Sequence, residues 1–489
     1  MRRFTAIIAQ HLAFVCLVNL SPPTQAAALL SVHPDNPIYF QAGDAPEAVY
    51  LSGAYAARSL QDFETHPFVF EDHVNTLLAN DMNLTTLVSR VRGKDDGLFI
   101  YPTIYRRTTE DDNALDGRPR FDLRLLNDDY FERLASRVSQ LHDKGIYAIY
   151  TLFNSWDGER EQHRGHLLFD YNPFHGSNNV NNIDTDTNKN GTGEELHRLP
   201  LPPAIKEIQE AYIKRVVDTL NPFPNVLYEI CNECMKDSKE WQIWVIETIK
   251  NYQASKPRQH LVGMSTVFEG IRGAELAQHS AIDWWQPGPF SSSPTLWRRL
   301  LRLDWRQSSP SYESARKKIF SNPPSADGPF AGKPIIFNTD HFMPNQATVD
   351  WVWKSMTRGL HPMSYETPLI DETDLTSHVD GLFLKKIHAN IKASQRFARL
   401  ATLATMSPLQ GMSSTGYALA DPGREYLIYQ PDDGAFSVDG LMPQQAYDLE
   451  WFQPSSGQTI AEENFVAQTP RHSFTPPMPG RAVLYITQR

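Results

Sequence analysis

The sequence predicts an α/β fold: a (β/α)8 TIM barrel followed by a small all-β sandwich domain. From about residue 48 to 370, short apolar runs alternate with amphipathic helical stretches, the pattern of parallel strands buried on both faces. Eight such runs in roughly 330 residues suit an eight-stranded barrel with insertions. After about residue 404 the alternation stops, and short strands spaced by Gly, Pro and Asp turns take over, as a sandwich requires. A chain of 489 residues is also too long for one ordinary core.

The elements follow in order. Residues 48–55, 83–91, 146–153, 225–230, 260–266 and 334–338 read as buried strands, with 282–287 and 361–366 as two shorter candidates. A helix is expected from Asp128 to Gly145, with Phe131, Leu134, Val138 and Leu141 on one stripe. Another opens at Pro203, where a missing N–H costs nothing, and buries Ile205, Ile208, Tyr212 and Val216. Further helices are expected in SKEWQIWVIETIKNY, DWVWKSMTRG and about 381–404. Two polar insertions, 154–200 and 287–332, follow the third and sixth strands. In a barrel such loops lie on the face where chemistry is built. The sandwich strands are EYLIYQ, AFSVDGL, AYDLEWFQP, HSFTPP and AVLYITQ. The expected organisation is a leader over 1–26, the barrel over 33–404 and the sandwich over 405–489.

Arg2 and Arg3, an apolar run and the small-residue stretch TQAAA have the order of a secretory signal. The run is short and interrupted by Gln10, His11 and Asn19, which argues against a membrane span. The expected location is therefore periplasmic or secreted. The net charge of −11 disfavours nucleic acid and anionic membrane surfaces as partners, since both need cationic footprints. Beyond the leader the cysteines are Cys231 and Cys234. They are read as small buried residues flanking Glu233, because a single C-x-x-C is at best half a zinc site. No cofactor or metal is expected.

The chemistry concentrates at strand ends. NVLYEICNEC carries Asn232 and Glu233 where the fourth barrel strand should finish, and KPIIFNTDH carries Asp340 and His341 at the end of the seventh. Two carboxylates across a sugar-sized cleft are what glycoside hydrolysis needs: one protonates the leaving oxygen, the other attacks the anomeric carbon or activates water. The competing reading is structural, with Glu and Asp binding Arg or backbone amides.

With HPDNPIYF, AVYLSG, DGRPRFDL, LFNSWDG, NPFHGSNNVNNI, NVLYEICNE, WVWKSMTRGLHP and STGYALADPGREYLIY, the chain resembles bacterial cellulase-like glycoside hydrolases of clan A. Those proteins carry a C-terminal β-sandwich labelled "collagen-binding". The resemblance implies an exported enzyme acting on a carbohydrate substrate, with Glu233 as acid/base, Asn232 at the sugar 2-hydroxyl and Asp340 as the second carboxylate. It favours a retaining mechanism. The first strand end departs from the family: Ala54, Tyr55, Ala56, Ala57 and Arg58 stand where it has a His-Thr-Trp-Asn-Asn run. At the second strand Thr86 replaces an arginine, with Arg90 and Arg92 the nearest substitutes. These departures motivate an alternative, a non-catalytic carbohydrate- or matrix-binding protein on a degenerate barrel.

Other candidates are weighed residue by residue. Trp156 is either a stacking platform for a sugar ring or core. His175, Asn178, Asn179 and Asn181 either line the cleft or form solvated turns. Glu366, near the end of the eighth strand, either binds substrate or takes the second catalytic role. Asp184, Asp186, Asn188 and Glu195 have calcium-loop spacing, but Lys189 holds the position that wants glycine. In the sandwich, Trp451, Tyr426 and Tyr429 are either glycan contacts or core.

Overall fold

The apolar runs become neighbours in one parallel sheet. The structure, a computed structural model, describes residues 26–95, 97–109, 112–155, 158, 168–232, 234, 236–266, 279–287, 321–326, 332–339, 349–365 and 381–489. The barrel strands are β1 (Gly53–Tyr55), β2 (Leu84–Val88), β3 (Tyr147–Asn154), β4 (Val226–Asn232), β5 (Val262–Thr266), β6 (Trp284–Pro287), β7 (Ile336–Asn338) and β8 (His361–Tyr365). They pair in the order β6, β5, β4, β3, β2, β1, β8, β7. A parallel bridge between Trp285 and Ile335 joins β6 to the start of β7 and closes the ring.

The run 48–55 is not one strand, as expected, but two pieces. Ala48–Val49 joins a small antiparallel sheet with Leu30–Val32 and Phe40–Ala42, and the barrel strand starts at Gly53. Between them side chains take over the backbone: Leu51 N donates to His361 Nδ1 at 2.9 Å, and Ser52 N donates to Asn83 Oδ1 at 2.9 Å. With its amides bonded away from any ladder, the segment cannot continue as strand.

The helices α2 (Asp128–His142), α3 (Pro203–Leu220), α4 (Lys239–Gln253), α5 (Asp350–Thr357) and α6 (Gly381–Leu400) stand where the sequence pattern places them, and α1 (Phe70–Ala79) is a further helix that the pattern did not single out. Asn127 caps α2 by accepting from Asp129 N, and the predicted stripe is buried. Gly145 then reverses the chain at φ +71°, a left-handed conformation that side chains disfavour. Among the described residues no helix is long and apolar enough to cross a membrane.

Leu84, Ile149, Leu227, Trp284, Ile336 and Met363 pack together as one apolar cluster. Two residues further along the same strands, hence on the same side of the sheet, stand Thr86, Thr151, Glu229, Gln286, Asn338 and Tyr365. Tyr55 and Ser265 complete this level from β1 and β5. The barrel therefore changes from apolar to polar one layer below its carboxyl end, and every member except the half-buried Tyr365 is buried.

The sandwich is built on a six-stranded antiparallel sheet in the order Ser407–Pro408, β9 (Ala418–Asp421), β10 (Glu425–Gln430), β13 (Ala482–Gln488), β11 (Ala446–Phe452), β12 (Thr459–Val466). Phe436–Val438 pairs with His472–Phe474 as a second small layer. Alternation assigns the faces. Tyr426, Ile428, Trp451 and Leu484 point into the sandwich core, whereas Leu427, Tyr429, Phe452 and Tyr485 join the barrel's core cluster. Phe397 of α6 meets Phe452 and Tyr485 edge-on, with ring centres 5.9 and 5.8 Å apart. Tyr429 Oη donates to Asp350 Oδ1 at 2.5 Å, and Arg481 Nε lies 2.6 Å from the same oxygen. Burial, reinforced by the Asp350 carboxylate, pushes the Tyr429 hydroxyl far up, so it stays a donor.

Candidate active site

The carboxyl end of β4 is positioned mainly by β3. Their parallel register pairs Phe153 with Cys231 and Asn154 with Asn232, whereas the pairing of β4 with β5 stops at Glu229 and Gly263. Beyond that point Ser265 Oγ substitutes for the ladder by donating to Cys231 O at 2.5 Å. Asn232 is buried. Its Oδ1 lies 3.5 Å from the Tyr55 hydroxyl, and its Nδ2 lies 3.5 Å from Asn154 Oδ1, the outer limit of hydrogen bonding. The Tyr55 ring stacks on Tyr365, with centres 5.5 Å apart and planes 22° apart. Side chains from β1, β3, β4 and β8 thus converge at one place.

Cys231 and Cys234 require a correction. They are buried, as expected, but they are joined by a disulfide rather than standing as separate thiols. The short helix Lys236–Ser238 lies just beyond β4, and the two cysteine Cα atoms are 5.8 Å apart, within bridging range. Spacing along the sequence does not reveal that proximity.

The unusual first and second strand ends have structural partners. Thr86 Oγ1 accepts from Ala56 N at 3.1 Å, and Ser59 Oγ donates to Thr86 O at 2.6 Å. Arg90 and Arg92 both pair with Asp95, at 3.3 and 3.2 Å. Thr86 therefore fastens the loop after β1, and the two arginines contribute to the fold of the loop after β2.

In the insertion after β3, Asn179 is fully buried. Its Nδ2 donates to the carbonyls of Pro173, His175 and Ile183, and its Oδ1 accepts from Asn181 N and Ile183 N. Asn178 Nδ2 donates to the carbonyls of Asp170 and Asn172. Asn181 bridges to Leu123 N and Asp122. His175 Nδ1 accepts from Ser177 N, with its ring against Phe169. These side chains shape the insertion. The same holds for the candidate calcium loop: Asp186 accepts from Asn190 N and Gly191 N, Glu195 accepts from Thr187 and Asn188, and Asp184 pairs with Lys189. Among the described residues no group of three or more His, Cys, Asp or Glu could hold a metal ion. Trp451, Tyr426 and Tyr429 are all buried.

Glu233, Asp340, His341, Trp156 and Glu366 lie outside the described residues, as do residues 1–25 of the expected leader. The described site still contains groups that the strand-end reading missed: Tyr55, Asn154, Tyr365 and, one layer below, Glu229. Thr151 Oγ1 donates to Glu229 Oε2 at 2.5 Å. For Glu229 a signal was visible, an acid inside the apolar run NVLYEI. For the others the signal depends on which strands become neighbours.

No family profile and no curated protein matches the chain, but solved structures do. A Bacteroides vulgatus protein provisionally named a glycoside hydrolase gives a TM-score of 0.59 at 14% identity, covering 95% of this chain and 83% of its own. A glycoside hydrolase family 5 protein, also from Bacteroides vulgatus, gives 0.59 at 12% identity, covering 94% and 92%. A third, described as a glycoside hydrolase, gives 0.57 at 12% identity, covering 94% and 97%. At these identities the likeness is one of fold, and it spans barrel and sandwich together.

Proposed function

We propose that the protein is an exported glycoside hydrolase that cleaves O-glycosidic bonds in a poly- or oligosaccharide through two carboxylates, with retention. The observation that carries this reading is the polar end of the closed barrel. β4 finishes at a buried Asn232 in reach of Tyr55 and Asn154, and Glu233 is the next residue in the chain. Asp340 follows Asn338, the last residue of β7, by two positions. The fold neighbours named as glycoside hydrolases support the same reading.

In this mechanism Glu233 protonates the leaving glycosidic oxygen while Asp340 attacks the anomeric carbon. Water then resolves the glycosyl-enzyme, with Glu233 now acting as base. Asn232 binds the 2-hydroxyl. An oxidised Cys231–Cys234 pair supports export to the periplasm or beyond, since such bonds persist in oxidising compartments. The sandwich is read as a cap on the barrel, because one face of its main sheet is covered by the barrel and the other by its own core.

The test is product release from a broad panel of plant, microbial and host polysaccharides, with Glu233→Gln and Asp340→Asn beside the wild type. Loss of general acid/base catalysis should lower kcat by about 100-fold or more in Glu233→Gln, with an unchanged fold. Full activity in that variant refutes the assignment. The anomer first released distinguishes retention from inversion. The second reading, a glycan-binding protein on a degenerate barrel, is favoured by the commitment of Thr86, Arg90 and Arg92 to loop structure. It predicts saturable binding, without cleavage, that survives loss of both carboxylates.

A further inference from the structure

Among the described residues, the carboxyl end of β4 is laddered on one side only. Its ladder with β5 ends at Glu229, three residues before Asn232. Thereafter the described backbone support comes from β3 on one side and the Ser265 hydroxyl on the other. The Asn232 amide makes its Tyr55 and Asn154 contacts at 3.5 Å, too long to lock its orientation. What encloses this stretch covalently is the Cys231–Cys234 bond. The ring it closes contains two intervening residues, Asn232 and Glu233. Both cysteines are buried, at 0% and 2% exposure, which limits access of reductants in solution to the bond.

We propose that the Cys231–Cys234 disulfide is a positioning element of the candidate active site, a covalent ring that fixes the end of β4 and with it the orientation of Asn232. The inference rests on the reading of Glu233 as acid/base. Cross-linking two residues this close gains little chain entropy in the unfolded state compared with a long-range bridge. The ring's main effect is therefore local order.

The experiment compares the wild type with Cys234→Ser and with the Cys231→Ser/Cys234→Ser double variant, all as the full chain. Backbone hydrogen exchange is followed by mass spectrometry, alongside kcat and KM on whichever glycan the wild type cleaves. The expected result is exchange about tenfold faster in the peptide around 226–236, with the rest of the barrel unchanged. At the same time kcat should fall about tenfold or more while KM stays within about twofold, because misplacing a catalytic group costs rate more than binding. Single and double variants should behave alike, since either one removes the bond. Unchanged local exchange, or unchanged kcat in an active enzyme, overturns the proposal. If the wild type cleaves nothing on the panel, the hydrolase reading fails, and the exchange data still decide whether the ring orders the strand end. If the variants do not fold, thiol alkylation of the denatured wild type decides: a blocked pair at 231 and 234 supports the bond, and two alkylated cysteines there overturn it.

Discussion

Thr151 and Glu229 face one another across β3 and β4 inside the barrel, with the threonine hydroxyl donating to the glutamate carboxyl at 2.5 Å. Their register is direct, and both are buried. A carboxyl group in that position is tolerable because it is hydrogen-bonded. Thr151→Val keeps the shape and removes the donor, so it should lower stability by about 1–3 kcal/mol. Thr151→Ser should restore most of the loss. Urea unfolding of the three proteins is the measurement, and an unchanged midpoint in Thr151→Val would count against the bond.

Two buried histidines make the fold acid-sensitive. Burial pushes His361 and His260 down to about 4. Burial keeps His361 neutral, with Nδ1 accepting from Leu51 N and Nε2 donating to Ile38 O; His260 contacts Phe223 O. Between pH 6.5 and 4 the unfolded chain binds protons that the folded one refuses, so stability falls as pH falls. Each histidine contributes up to roughly 1.4 kcal/mol per pH unit in that window. A pH series of Tm should show the slope and its levelling below about pH 4. His361→Gln and His260→Gln should each flatten it.

Asp350 ties the sandwich to the barrel through Tyr429 and Arg481. Asp350→Ala leaves a buried tyrosine hydroxyl without its acceptor and should cost about 1–3 kcal/mol. The loss should appear as faster proteolysis in the connection near residues 401–406. Removing the sandwich altogether uncovers Phe397 and its apolar neighbours, and the barrel alone should aggregate rather than remain a soluble monomer. Light scattering of the truncated chain checks this.

Gly263 is fixed by a close approach. A Cβ at this position would collide with the Trp284 indole on the paired strand β6. Gly263→Ala should overpack the barrel interior and destabilise by about 1–3 kcal/mol, measurable as a lower urea midpoint with an unchanged m-value.

The barrel was legible because most of its strands lie in short apolar runs, and α2 and α3 because caps, proline and stripe agree. Two errors share a cause. The split of 48–55 depends on His361, more than three hundred positions away, accepting a backbone amide. The disulfide depends on the two cysteine Cα atoms lying within bridging range. Neither is encoded in local pattern. Two sandwich strands, Ala418–Asp421 and Thr459–Val466, were also missed. The second reads TIAEENFV and is largely exposed, so it lacks the alternation that marks a half-buried strand. Of the site, Asn232 was visible as a polar end to an apolar run. Tyr55 and Tyr365 become partners because β1 and β8 lie side by side, a fact of topology.

The exposed strand Thr459–Val466 forms one edge of the sandwich sheet. With both faces of that sheet covered, this border is the long stretch of strand backbone left open to a neighbouring molecule. It carries Glu462 and Glu463 side by side, and its pairing with β11 is interrupted by an irregularity near Leu449. A second copy approaching in register would meet like charge on a bent rim. The opposite border, Ser407–Pro408, is two residues long and ends in proline, too short to template anything. At high concentration such borders would keep the molecule from zipping onto its own kind.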